Sequence, residues 1–156
     1  MLKYKETLVT FTEVPDEISL CINLTQCPCN CPFCFEPWLQ SDIGLELDLS
    51  ALITLMNKVI SITCICFMGG DNDSRALAKL CREFKQKYPD IKLAMYSGRT
   101  YMHEELEECL DYYKIGPYME QYGPLNSLTT NQRFYQKNES GVWIDITYKF
   151  QNRKRN

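Results

Sequence analysis

The sequence predicts an α/β fold, built as a partial (βα) barrel or open curved sheet with mainly parallel strands and a C-terminal hairpin. Two patterns predict it. Short apolar segments rich in β-branched residues alternate with segments whose apolar residues recur at helical spacing. This alternation implies βαβ units joined by right-handed crossovers. A chain of 156 residues is also too short for a complete eight-stranded barrel.

Composition indicates a folded domain in a reducing compartment. Hydrophobic residues make up 45% of the chain, as in globular proteins, and we expect one domain over residues 1–150 with a basic tail at 151–156. Nine cysteines without an apolar N-terminal segment favour a cytoplasmic protein whose thiols are ligands or buried groups. The net charge of −3 and the lack of a membrane-length apolar run predict neither nucleic acid nor membrane as a partner.

The first half of the chain is predicted to form three strands and a helix. Residues 7–11 and 18–24 are β-rich, and the second segment places Ile18, Leu20, Ile22 and Leu24 on one face. Asp48 is the predicted N-cap of a helix. Its buried stripe comprises Leu49, Leu52, Ile53, Met56, Val59 and Ile60. Residues 62–68 are almost wholly apolar, which is typical of a buried parallel strand.

The second half continues the alternation. A helix capped by Asp73 or Ser74 buries Leu77, Leu80, Cys81, Phe84 and Tyr88 and ends before Pro89. A strand at 91–96, a helix at 102–111 and a strand at 113–115 follow. The predicted hairpin pairs residues 133–137 with 142–148 around a polar turn.

Three cysteines after the second strand form the pattern C-x3-C-x2-C at Cys27, Cys31 and Cys34. The two prolines among them exclude a helix, so the chain can curl around one centre. Thiolates bind iron–sulfur clusters and zinc, and three of them leave one iron of a cubane cluster open. A structural zinc loop, with Cys29 or a distant cysteine as fourth ligand, stays the alternative, although no second ligand pair of the usual spacing follows.

Other special sequences also follow predicted strands: Gly69-Gly70-Asp71, Ser97-Gly98 and Gly116-Pro117. The carboxyl ends of parallel strands meet at one edge of a sheet, where ligands bind. The sequence therefore predicts one site that joins these loops to the cysteine loop. The two adjacent glycines allow close backbone approach to a ligand, and a tight strand-to-helix turn is the alternative explanation for them.

The cysteine pattern, with Phe33 before its last cysteine, resembles the radical S-adenosylmethionine (SAM) superfamily. Gly69-Gly70-Asp71 is similar to that superfamily's Gly-Gly-Glu motif, with Asp in place of Glu. The chain resembles more closely the activating proteins of anaerobic, class III ribonucleoside-triphosphate reductases. The motifs that carry this closer resemblance lie at residues 67–71, 96–99 and 130–133, and the resemblance runs from about residue 9 to residue 135.

This resemblance implies a radical SAM oxidoreductase with no catalytic residue beyond its cluster. Cys27, Cys31 and Cys34 would bind a [4Fe–4S] cluster whose open iron SAM chelates. The implied SAM-binding residues are Phe33, Gly69, Gly70, Asp71, Ser97 and Asn131. Cys29 is interpreted as a bystander, and His103 as a solvated helix residue.

The implied partners are two proteins. A flavodoxin or ferredoxin-type donor would supply the electron that cleaves SAM, and the resulting 5′-deoxyadenosyl radical would take a hydrogen from a glycine of the anaerobic reductase. Two alternatives stay open. One is a radical SAM enzyme acting on another glycyl-radical enzyme or a small molecule, and the other is a non-catalytic zinc- or cluster-bearing binding module.

Overall fold

The computed structural model describes residues 1–151, which contain one mixed eight-stranded sheet. Its strands are β1 (Lys3–Thr10), β2 (Ser19–Leu24), β3 (Leu45–Glu46), β4 (Cys64–Met68), β5 (Lys92–Tyr96), β6 (Tyr112–Ile115), β7 (Arg133–Lys137) and β8 (Trp143–Asp145). The spatial order is β3-β1-β2-β4-β5-β6-β7-β8. β2, β4, β5 and β6 run parallel, and antiparallel strands flank them on both sides. The predicted α/β fold with an open, centrally parallel sheet is confirmed.

Within residues 1–151, four α-helices connect or follow the strands: α1 (Leu49–Asn57), α2 (Ser74–Lys87), α3 (Glu104–Glu107) and α4 (Tyr148–Gln151). Asp48 caps α1 by accepting a hydrogen bond of 2.8 Å from the Ala51 amide. Asp73 caps α2 in the same way, at 3.1 Å from the Ala76 amide. Both predicted helix starts are confirmed, because a short acidic side chain satisfies amides that have no partner within the helix.

The two faces of the sheet pack differently. Side chains alternate between faces along each strand, so Leu20, Ile22 and Leu24 join the larger core with the buried stripes of α1 and α2. The opposite face carries a smaller cluster that includes Cys21 and Phe134. The predicted grouping is confirmed for Leu20, Ile22 and Leu24, whereas Ile18 precedes β2 and belongs to neither core cluster. The second face is the one with room for a ligand.

Two predicted helices are too long. α1 ends at Asn57, and Ile60, predicted to be buried, is 89% exposed. Ser61 takes a positive φ of 60°, which turns the chain away from the helix toward β4. The helix predicted over 102–111 forms only at Glu104–Glu107, because the backbone and carboxylate of Asp111 already bond to Leu93 of β5 at 2.8 and 2.9 Å.

The C-terminal hairpin is shorter than predicted. Its second strand covers Trp143–Asp145, and Tyr148, predicted as strand, begins α4. The Asp145 carboxylate accepts bonds from the Thr147 amide at 2.9 Å and the Thr147 hydroxyl at 2.6 Å. These bonds turn the chain out of the strand.

The predicted basic tail falls almost wholly beyond the described residues. Residue 151 belongs to α4, whereas Arg153, Lys154 and Arg155 lie outside the described part of the chain. None of the helices within residues 1–151 has the length and apolar character needed to cross a membrane.

Candidate metal centre

The open face of the sheet bears a cavity of about 1120 Å³. Its floor comes from neighbouring strands and includes Asn23, Met68, Tyr96 and Lys114. The cysteine loop, Gly69 and Gly98 form one wall, and the segment before β7 contributes Leu125 and Gln132. Loops that follow β2, β4 and β5 therefore meet at one site, as the parallel arrangement of these strands requires.

The cysteine loop is curled rather than extended. Gln26, Asn30 and Phe33 take positive φ values of 62°, 48° and 57°, a left-handed conformation that is uncommon for residues other than glycine. At its start, the Cys27 amide donates a 2.9 Å bond to the Leu39 carbonyl. Within the loop, the Cys34 amide donates a 3.2 Å bond to the Cys31 carbonyl.

Four partly exposed thiols of this loop line the cavity: Cys27, Cys29, Cys31 and Cys34. In residues 1–151, no three His, Cys, Asp or Glu side chains converge on a point where they could hold a single metal ion. The donor set fits an iron–sulfur cluster, because thiolates are the usual protein ligands of such clusters. The free volume beside the thiols leaves room for the cluster as well.

Cys27 and Cys29 interact with each other. The pKa of Cys27 is lowered to about 6, chiefly by a hydrogen bond from the Cys29 thiol, although burial opposes this effect. The same hydrogen bond, together with burial and the nearby Asp71 carboxylate, raises the pKa of Cys29. The Cys29 thiol therefore favours the thiolate form of Cys27, which is the form that binds a metal.

Asp71 connects the loops behind the cavity wall. Its carboxylate accepts hydrogen bonds from the Ser97 hydroxyl at 2.6 Å, the Gly98 amide at 3.2 Å, His103 Nε2 at 2.9 Å and the Cys29 thiol at 3.5 Å. The side chain is only 1% exposed. A carboxylate has about four lone-pair sites, and the protein itself supplies donors to both oxygens of Asp71.

Comparison with known protein families identifies a match over most of the chain. The model of the 4Fe-4S single cluster domain family matches residues 18–135. The chain belongs to this family. The matched segment begins just before β2 and ends within β7, so it includes the cysteine loop and most of the cavity wall. No curated protein and no solved structure matches the chain.

Membership of the 4Fe-4S single cluster domain family supports a [4Fe–4S] cluster as the group that this site holds. The choice between cluster and zinc, left open by the cysteine spacing, is thereby decided in favour of the cluster.

The predicted SAM-binding residues of this 4Fe-4S domain occupy different positions around the cavity. Gly69 lines the cavity, and its amide donates a 3.0 Å bond to the Tyr96 carbonyl. Gly70 faces the core instead: a Cβ on it would lie 2.7 Å from Leu77 Cδ2. Asp71 and Ser97 lie behind the wall, bonded to each other.

Phe33 and Asn131 also lie outside the cavity lining. The Phe33 side chain is 73% exposed. Asn131 Nδ2 donates a 2.9 Å bond to the Pro117 carbonyl, and its Oδ1 is buried with no hydrogen-bond partner. The Oδ1 atom of Asn131 is therefore free to accept a hydrogen bond. A contact from Phe33 to SAM would come from its backbone.

Two residues of the 4Fe-4S domain were not predicted to belong to the site. Lys114 is 7% exposed and lines the cavity, and its ammonium donates to the carbonyls of Gly116 at 2.6 Å and Ser97 at 3.2 Å. Burial lowers the pKa of Lys114 to about 8, although the charge of Cys31 opposes this effect. A lysine inside an apolar strand is a sequence signal for such a site, because buried charges need partners.

His103 is the second such residue. The interpretation of His103 as a solvated helix residue is wrong, because its side chain is 13% exposed and bonds to Asp71. It precedes α3 as the N-cap residue. Its partner lies 32 positions earlier in the sequence, so no local pattern reveals the contact.

Proposed function

We propose that this protein is a radical SAM activase that cleaves SAM reductively and generates a glycyl radical on an anaerobic ribonucleoside-triphosphate reductase. The observation that carries the proposal is a curled three-cysteine loop that forms one wall of a large cavity at the carboxyl ends of parallel strands. Cys27, Cys31 and Cys34 are the proposed ligands of the [4Fe–4S] cluster. When bound, the cluster supplies the electron for SAM cleavage, received from a flavodoxin or ferredoxin-type donor.

The residues around the cavity have three tasks in this proposal. Gly69 presents a surface without a side chain at which the methionine part of SAM can approach the backbone. Lys114 places a positive charge near the thiolate ligands, which offsets part of their negative charge. Met68, Tyr96 and Leu125 supply apolar walls that limit the access of water to the reacting groups.

The cavity mouth is suited to a protein substrate. The volume of the cavity, about 1120 Å³, exceeds the roughly 300–1,000 Å³ of common small-molecule pockets. Three apolar side chains that line the cavity are also exposed: Leu8 (65%), Phe35 (76%) and Leu128 (85%). Exposed apolar groups around a pocket are typical of a surface that a partner covers, so we expect the glycine-bearing loop of the reductase to enter here.

Anaerobic reconstitution tests the chemistry. The protein is loaded with iron and sulfide and then incubated with SAM and dithionite, and the expected product is 5′-deoxyadenosine. A variant with Cys27, Cys31 and Cys34 all changed to Ala is the control and should form none. Absence of the product from a cluster-loaded wild-type sample would refute the radical SAM assignment.

The partner is tested by adding the anaerobic reductase to the same mixture. An EPR doublet from coupling to a Cα hydrogen is expected on the reductase, and it should disappear when the target glycine is changed to Ala. If SAM is cleaved but no doublet appears, the assigned partner is wrong. Another glycyl-radical enzyme or a small molecule would then be the substrate.

A further inference from the structure

The Cys29 side chain lines the cavity and is also packed closely against neighbouring residues. Its thiol donates a hydrogen bond of 3.5 Å to the Asp71 carboxylate. On the other side it lies against the backbone of Gly98, where an added Cβ would come within 2.8 Å of Cys29 Sγ and 2.9 Å of Cys29 Cβ. Gly98 thus leaves a space that Cys29 fills.

Asp71 is itself held in place. The Ser97 hydroxyl and the Gly98 amide bind it from the loop after β5, and His103 Nε2 binds it at 2.9 Å. His103 is fixed in turn, because its amide donates a 3.1 Å bond to the hydroxyl of Tyr113, which is fully buried in β6. A continuous chain of contacts therefore runs from the core to the cysteine loop.

We propose that Cys29, Asp71 and His103 form a positioning chain that holds the cysteine loop in the shape that receives the cluster. In this chain Cys29 acts as a hydrogen-bond donor and not as a cluster ligand. The inference rests on the proposed ligand set of Cys27, Cys31 and Cys34.

The loop requires such support for a physical reason. Gln26, Asn30 and Phe33 hold left-handed φ values that cost free energy and persist only where surrounding contacts impose them. Backbone bonds from Gln26 and Cys27 to the segment after the loop fix its first residues. The hydrogen bond from Cys29 to Asp71 adds a contact in the middle of the loop, between two of the three left-handed residues.

In this positioning chain, whether a side chain can donate a hydrogen bond matters more than its size. His103→Gln keeps an N–H donor near the Asp71 carboxylate, whereas His103→Ala removes it. Cys29→Ser keeps a donor, and Cys29→Ala removes it. Cys64→Ala is a matched control, because Cys64 is a buried cysteine that does not line the cavity.

Two measurements on the full-length chain separate positioning from general stability. The first is amide hydrogen exchange of residues 26–36 in the cluster-free protein, compared with exchange in the core strands. The second is the iron content after reconstitution, together with the EPR spectrum of the reduced cluster. Neither measurement requires SAM cleavage, so both stay informative if the proposed enzymatic function fails.

We expect His103→Ala and Cys29→Ala to speed exchange of residues 26–36 by about tenfold, the effect of losing one hydrogen bond to a charged group. Core exchange should stay unchanged, and the variants should bind less iron while keeping the wild-type EPR spectrum. His103→Gln, Cys29→Ser and Cys64→Ala should keep the wild-type exchange of residues 26–36 and the wild-type iron content.

Three outcomes would overturn the inference. The first is wild-type exchange and loading in both alanine variants, and the second is failure of both Gln and Ser to rescue them. The third is a changed EPR spectrum in Cys29→Ser, which would make Cys29 a ligand. If His103→Ala does not fold, the two Cys29 variants decide the matter alone.

Discussion

Gly69 and Gly70 have nearly equal φ values and different surroundings, so replacing each with Ala separates packing from cofactor contact. Their φ values are +107° and +109°. A Cβ at residue 69 meets the Leu24 carbonyl oxygen at 3.4 Å, an ordinary contact. A Cβ at residue 70 would lie 2.7 Å from Leu77 Cδ2 and 3.2 Å from Leu24 Cδ1, so Leu77 must move.

The expected magnitudes follow from these distances. A positive φ costs an alanine about 1–3 kcal/mol at either position. Overpacking adds about 1–3 kcal/mol at residue 70 alone, because Leu77 is fully buried and cannot move without displacing its neighbours. Gly70→Ala is therefore expected to lower the free energy of unfolding by about 1–3 kcal/mol more than Gly69→Ala does.

Urea unfolding of the reduced, cluster-free protein measures this difference, with the denaturant slope compared to check that both variants unfold alike. SAM binding to the cluster-loaded variants is measured in parallel. We expect the larger loss of affinity for Gly69→Ala, because Gly69 lines the cavity and Gly70 does not. Equal stability of the two variants, combined with weaker SAM binding by Gly70→Ala, would refute the placement of Gly70 against the core.

Three further predictions concern the ligands, the buried lysine and a helix cap. Replacing Cys27, Cys31 or Cys34 singly with Ala should abolish the EPR signal of the reduced cluster, and a variant that keeps the full wild-type signal would remove that residue from the ligand set. Lys114 has a pKa of about 8 in the folded protein, below its ordinary value near 10.5. The unfolded chain therefore binds more protons between these values, and stability should rise with pH across this window. Relative to Lys114→Met, the free energy of unfolding of the cluster-free wild type should rise by up to about 1.4 kcal/mol per pH unit from pH 8 to 10; equal slopes in urea titrations would contradict the burial of the charge. Asp48→Ala should lower the free energy of unfolding by about 1 kcal/mol, since it removes the bond to the Ala51 amide, and Asp48→Asn should lose only part of this.

Local patterns predicted most of the framework. Asp48 and Asp73 cap their helices because capping depends on residues three positions apart, which the sequence displays directly. The alternation in β2 correctly assigned its core-facing side chains, because the two-residue period of a strand is local as well. The positions of the cysteine loop and Gly69 followed from the order of strands and helices.

Long-range contacts could not be predicted from the sequence. His103 gave no signal because its partner Asp71 is reached only through the fold. The packing of Gly70 also gave no signal, because the core side chains that crowd it belong to other elements of the chain. Ile60 continued a helical apolar pattern, but α1 ends at Asn57 and the chain turns at Ser61, which leaves Ile60 exposed. For His103 and Gly70 a tertiary contact decides the environment of the residue, whereas for Ile60 the backbone turn at Ser61 does.

The nine cysteines form two groups that differ in their accessibility to chemical reagents. Five are buried: Cys21, Cys64, Cys66, Cys81 and Cys109. The other four, all in the loop at the cavity, are partly exposed. An alkylating reagent applied to the native protein should therefore modify the loop thiols first, because reaction requires access. The number of rapidly modified thiols becomes a direct gauge of cluster occupancy, and air damage should begin at the loop while the interior thiols stay reduced.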